Sequence, residues 1–122
     1  MPKTIKLTVS EGSDHVKEFV FQEPTRPVVG RADDCDIRFP MHAAHMDVSR
    51  HHCLFEIDPP TVKVRDLASR NGTFVNGQKI GERPRHDLPP DAGWVQLPPK
   101  ELKEGDEVRV GHNIIRVEKI DF

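Results

Sequence analysis

The chain has 122 residues and a formal net charge of −2, from 18 Lys and Arg against 20 Asp and Glu. That length holds about one ordinary domain core, and that balance excludes a protein whose main task is coating a nucleic-acid backbone. Of the 26 Val, Ile and Leu residues 20 are β-branched, against five Ala, which tells against an all-helical fold, and no apolar run exceeds three residues.

The N-terminus, MPKTIKLTV, alternates instead of forming an apolar block, so the sequence carries no secretory signal or membrane span and reads as cytoplasmic. Period-two alternation then marks strands in chain order. Ile5, Leu7 and Val9 alternate with polar residues; Phe19 and Phe21 do so within 18–22; Val28 and Val29 run into Gly30; Ile37 and Phe39 alternate. Cys53, Phe55 and Ile57 share one face, and Val62 and Val64 share another. Prolines at 24, 27, 40, 59 and 60 mark turns, edges or strand starts, because proline cannot donate to a strand ladder. The segment 82–101 holds five of the eleven prolines and reads as a long loop interrupted by a short strand at 94–97. Val108 and Val110, then Ile115 and Val117, flank Gly111-His112-Asn113, a hairpin signal in which the Gly and the Asn tolerate positive φ. Strands recur mostly every 8 to 12 residues with no helical stretch between them. The prediction is an all-β sandwich in a single domain over 1–122, its core at about 5–117. Cys35 and Cys53 are too few for a disulfide framework and form no C-x-x-C pair, so packed, reduced thiols are expected.

Three blocks fall between the predicted strands: Gly30-Arg31, then Val48-Ser49-Arg50-His51-His52, then 66–77 with Asp66, Ser69, Arg70, Asn71, Gly72, Thr73, Asn76 and Gly77. Loops on a rigid sandwich are where binding groups concentrate. Arg31, Arg50 and Arg70 offer planar guanidinium forks, Ser49 a hydroxyl and Asn71 an amide, a set suited to a small dianion such as a phosphate group. Singly, each has a plainer reading: Gly-Arg after a strand is a turn with a solvated charge, and Asn-Gly is turn chemistry.

In that order and spacing, G-R, S-R-x-H and L-x-S-x-N-G-T-F-V-N-G resemble the forkhead-associated (FHA) domain family over about residues 5–117. The resemblance implies a β-sandwich of about eleven strands that recognises phosphothreonine in partner proteins through loops at one end. It makes Arg31 the phosphate-gripping arginine and Ser49 the serine whose hydroxyl meets the phosphate, with Arg50 beside it. Asn71 is implied to hold the peptide main chain, and Arg70 to reach the phosphate or a flanking ligand residue. Gly30, His52, Gly72, Asn76 and Gly77 are implied as structural support, His52 as a loop brace that does not touch ligand. The implied partners are phosphothreonine proteins, a Ser/Thr kinase or its substrates, with no nucleic acid, membrane or cofactor. The sequence departs from the family pattern in the longer link 40–47, in Arg70 where small hydroxyl residues are also common, and in the long loop 82–101.

Other readings compete. His42, His45, His51, His52 and Cys53 suggest a metal site, but a metal needs about four converging ligands, and His51 and His52 would point to opposite faces. No metal site is therefore predicted. A nucleophilic enzyme would need Ser49 to face an oriented base, and the flanking arginines hold an anion without hydrolysing it, so no enzyme is predicted either. An interaction scaffold with a vestigial phosphate pocket is the remaining alternative.

Overall fold

The alternation resolves into two packed sheets in a computed structural model that describes residues 3–10, 16–39, 47–82 and 99–121. The first sheet has the order β2-β1-β11-β10-β7-β8, from Val16–Phe21 (β2), Thr4–Ser10 (β1), Asn113–Asp121 (β11), Glu107–Val110 (β10), Thr73–Val75 (β7) and Gln78–Gly81 (β8). The second has the order β4-β3-β5-β6-β9, from Ile37–Arg38 (β4), Val28–Gly30 (β3), Cys53–Asp58 (β5), Thr61–Asp66 (β6) and Lys100–Leu102 (β9). All neighbours pair antiparallel except β3 with β4.

Every second residue faces inward, so Ile5, Leu7 and Val9 of β1 and Ile115 and Val117 of β11 meet Phe55 and Ile57 of β5 and Val62 and Val64 of β6 in one buried cluster. Full burial of each such side chain contributes about 1.5 to 3 kcal/mol. This makes the sandwich rigid enough to present loops. Both cysteines are buried and free. Among the described residues no helix is long and apolar enough to cross a membrane.

The β-sandwich of eleven strands agrees with expectation, and three details differ. The block 66–77 is not all loop: Thr73 to Val75 leave it as β7, because Thr73 and Val75 turn inward and are buried. Lys100 to Leu102, which begin within the expected loop 82–101 and run one residue past it, pair with β6 and insert Leu102 into the core. In the β10–β11 hairpin Val110 pairs with Asn113, so the loop is Gly111-His112; Gly111 takes φ +62 and Asn113 does not go positive. Asn113 is instead buried and its side-chain amide donates to the Val110 carbonyl at 3.3 Å. The expected strand at 94–97, and His42 and His45, lie outside the described residues.

Register fixes which loops meet. Cys53 pairs with both Val29 and Asp66, while Val110 pairs with both Thr73 and Asn113. The residues that follow Gly30, the segment 47–52 ahead of β5, and the β6–β7 and β10–β11 connections therefore lie at one end, and the β7–β8 turn lies at the other.

Candidate functional site

Gly30 ends β3 where the Ser49–Arg50 backbone passes. A Cβ at position 30 would stand 2.1 Å from the Arg50 carbonyl oxygen and 3.0 Å from that of Ser49, so this close approach requires glycine. Backbone bonds then lock the two loops: the Arg31 N–H donates to the Ser49 carbonyl at 3.2 Å and the Ala32 N–H to the Arg50 carbonyl at 3.0 Å. The Arg31 side chain follows the same path, its Nε–H donating to the Val48 carbonyl.

His52 joins this pair of loops to a third. Its backbone N–H donates to the Val29 carbonyl at 2.7 Å. On the fully buried ring, Nδ1 accepts from the Ser49 N–H at 3.0 Å, so Nε2 carries the proton and donates to the Gly72 carbonyl at 2.9 Å. Burial pushes the imidazole pKa below its usual 6.5; the Gly72 bond and the charges of Asp66 and Asp47 pull the other way without reversing the shift. A neutral ring keeps the lone pair that holds Ser49.

The β6–β7 loop is shaped from within by Asp66. Its carboxylate accepts from the Ser69 N–H at 3.1 Å, from the Ser69 hydroxyl, and from the Thr73 hydroxyl at 2.6 Å, a side-chain-to-backbone pattern that stabilises turns. The loop is also tied to Ser49, whose Oγ accepts from the Arg70 N–H at 2.8 Å. Ser49 then has its own O–H to offer outward. Asn71 is exposed, and its side-chain amide donates to the Asp47 carbonyl at 3.0 Å. The Asp47 carboxylate meets Nδ1 of His112 and fills the space beside Gly111, where a Cβ would come within 2.6 Å of it.

Gly30, Arg31, Ser49, Arg50, His52, Arg70, Asn71 and Gly72 thus come together at one end of the sandwich, with Arg50 and Arg70 exposed. Asn76 and Gly77 do not join them. They form the β7–β8 turn at the far end, with φ of +49 and +83, and Asn76 bonds to Asp106 and Glu107. Asp66 stood in the sequence only as the first residue of the 66–77 block, where the spacing Asp66-x-x-Ser69 was the signal for its role, and nothing local marks Asp47.

This geometry suits holding an anion. Ser49 is held through its N–H, its carbonyl and its Oγ, and the nearest imidazole is spent on its backbone N–H and not on its hydroxyl. No aligned base activates that hydroxyl among the described contacts. His51 points away from His52, its Nε2 lying 2.9 Å from Asp34 Oδ1, so the metal set built on His51 and His52 together is not formed.

Residues 28–92 match the family model of the FHA domain. Over 59 residues the chain is 42% identical to the ABC transporter ATP-binding/permease protein Rv1747 of Mycobacterium tuberculosis, covering 48% of this chain and 6% of that protein. Over 114 residues it is 32% identical to vacuolar protein sorting-associated protein 64 of Saccharomyces cerevisiae, covering 92% of this chain and 15% of that protein. The chain thus spans only a small part of the curated relatives it matches. A solved structure from work on phosphothreonine-dependent FHA domain interactions superposes with a TM-score of 0.66 at 27% identity, over 93% of each chain.

Proposed function

The chain belongs to the FHA domain family, and from that premise we propose that it is a phosphothreonine-dependent peptide-binding module acting as an adaptor in cytoplasmic Ser/Thr kinase signalling. FHA domains are binding modules, not enzymes. In this reading Arg31 and Ser49 take the phosphate, Arg50 and Arg70 add charge at its rim, and Asn71 orders the main chain of the bound peptide. The partner is a phosphorylated Ser/Thr kinase or one of its substrates. The observation that carries the reading is the convergence of three loops on Ser49: Arg31 N–H on its carbonyl, Arg70 N–H on its hydroxyl and His52 on its N–H. Held from three sides, the Ser49 hydroxyl is ordered before a ligand arrives, and an ordered group loses little entropy on binding.

The test is a phosphothreonine peptide library screened against the wild type and Arg31→Ala, with unphosphorylated twins as controls. A selected phosphopeptide is expected to bind and its twin not to. Arg31→Ala should weaken binding by about 2 to 5 kcal/mol, the range for removing one partner of a desolvated charge pair. Ser49→Ala should cost less, about 1.5 to 3 kcal/mol, for one hydrogen bond to a charged group. Equal affinity for both peptides would end this reading in favour of a scaffold with a vestigial pocket.

A further inference from the structure

We infer that Asp34, Cys35 and His51 form a site for a thiophilic divalent cation of the zinc class, on the flank of the Ser49–Arg50 loop. One carboxylate oxygen, one thiol sulfur and one imidazole nitrogen lie within 4.8 Å of one another. His51 Nε2 stands 2.9 and 3.1 Å from the two Asp34 oxygens, and Cys35 Sγ stands 3.2 Å from the Arg50 carbonyl oxygen. Tetrahedral zinc, with bonds of about 2.0 to 2.3 Å, sets its ligands roughly 3.3 to 3.6 Å apart. Small side-chain adjustments reach that spacing.

The backbone that carries the ligands is already held. The Cys35 N–H donates to the Ala32 carbonyl at 3.1 Å, and the Ala32 N–H donates to the Arg50 carbonyl at 3.0 Å, which stitches the loop of Asp34 and Cys35 to that of His51. A thiolate and a carboxylate neutralise the two charges of the cation, and mixed S, N and O donors favour zinc over magnesium or calcium. The nearby Arg38 guanidinium is engaged by Asp33 at 2.5 Å. On loading, the metal–sulfur bond replaces the thiol proton, which leaves to solvent; the His51 ring moves its proton from Nε2 to Nδ1 so that the Nε2 lone pair faces the metal, and the His51–Asp34 and Cys35–Arg50 contacts are given up. Three protein ligands leave the fourth position to water.

Cobalt(II) is the probe, added to the whole untagged chain. One equivalent should bind with a thiolate-to-cobalt charge-transfer band and tetrahedral visible bands, and zinc should bleach both. Cys35→Ser should lose the charge-transfer band. His51→Gln, a change at an exposed position, should lose stoichiometric binding with its circular dichroism unchanged. Absence of binding by the wild type, a charge-transfer band that survives Cys35→Ser, or stoichiometric binding that survives His51→Gln would each overturn the assignment. None of these readouts depends on phosphopeptide binding, so the two readings fail separately.

Discussion

The chain contains the dipeptide Asn-Gly twice, five residues apart, at the two ends of β7. At Asn71-Gly72 the glycine takes φ +91, its carbonyl accepts from His52, and the asparagine amide holds Asp47. At Asn76-Gly77 the glycine takes φ +83, a Cβ there would meet nothing within 4 Å, and the asparagine ties the turn to Asp106 and Glu107. Both glycines take a left-handed backbone, and at the second pair the asparagine does so as well, with φ +49. What separates the two is the surroundings: one pair joins loops drawn from both sheets, and the other closes a hairpin in one sheet. Local chemistry fixes the turn, and long-range contacts decide whether it belongs to the site.

The strongest way to break this contrast is at the brace. His52→Ala would strand the Ser49 N–H and the Gly72 carbonyl and leave a void in a fully buried place, at a cost of about 3 kcal/mol or more. Chemical denaturation should show that loss, and phosphopeptide affinity should fall with it even where the protein remains folded. A variant that keeps wild-type stability would remove His52 from its role.

Next come the two glycines. Gly72→Ala and Gly77→Ala both force a left-handed backbone on an L residue, at about 1 to 2 kcal/mol each, and a Cβ at 72 would also stand 3.2 Å from the Lys79 side chain, so both melting temperatures should fall, that of Gly72→Ala at least as far. Only Gly72→Ala should also weaken phosphopeptide binding. Parallel loss of binding in both would show that the far turn communicates with the site.

Smaller still is the effect of the asparagines. Asn76→Ala removes exposed bonds to Asp106 and Glu107 and should cost about 1 kcal/mol of stability with peptide affinity unchanged. Asn71→Ala should reverse that pattern, with phosphopeptide affinity lowered and competition by free phosphothreonine retained, as measured by titration calorimetry. Equal loss of both ligands would move Asn71 from the peptide main chain to the phosphate.

The strands β1, β5, β6, β10 and β11 were legible because their apolar residues alternate cleanly over burial. β9 was not, because Lys100 and Glu101 are exposed and Leu102 alone faces the core. β7 was hidden inside a motif of turn residues. Within the site, the arginines, Ser49 and Asn71 were legible through order and spacing. Asp47 was invisible because its partners, Asn71 and His112, lie 24 and 65 residues away. The pairing of His51 with Asp34 likewise depends on the approach of two loops that Gly30 permits, which no local pattern encodes.

The finest distinction between the two ends is in how acid reaches them. His52 has a folded-state pKa below its ordinary 6.5 because burial disfavours the charged ring. The unfolded chain therefore takes up a proton first, and stability that is complete above about pH 6.5 declines as the pH falls through that value toward the lower folded pKa. At pH 6 the loss stays under about 1 kcal/mol, since the unfolded histidine is then only partly protonated beyond the folded one. At the far end, burial tends to raise the Asp106 carboxyl, but hydrogen bonds from the Asn76 side chain and the Lys103 N–H outweigh it and hold the pKa below 3.8. Its contribution is intact above that value and is lost only as the pH falls below it. Denaturant unfolding at pH 7, 6 and 5 should therefore show a decline in the wild type that is flatter in His52→Gln, because the variant has no ring to protonate. Asn76→Ala should leave that slope unchanged and alter the profile only below about pH 4, where the Asp106 carboxylate takes its proton. Identical slopes for the wild type and His52→Gln between pH 7 and 5 would mean that the ring accepts a proton in place, and the lone pair on Nδ1 would no longer account for the fixed position of Ser49.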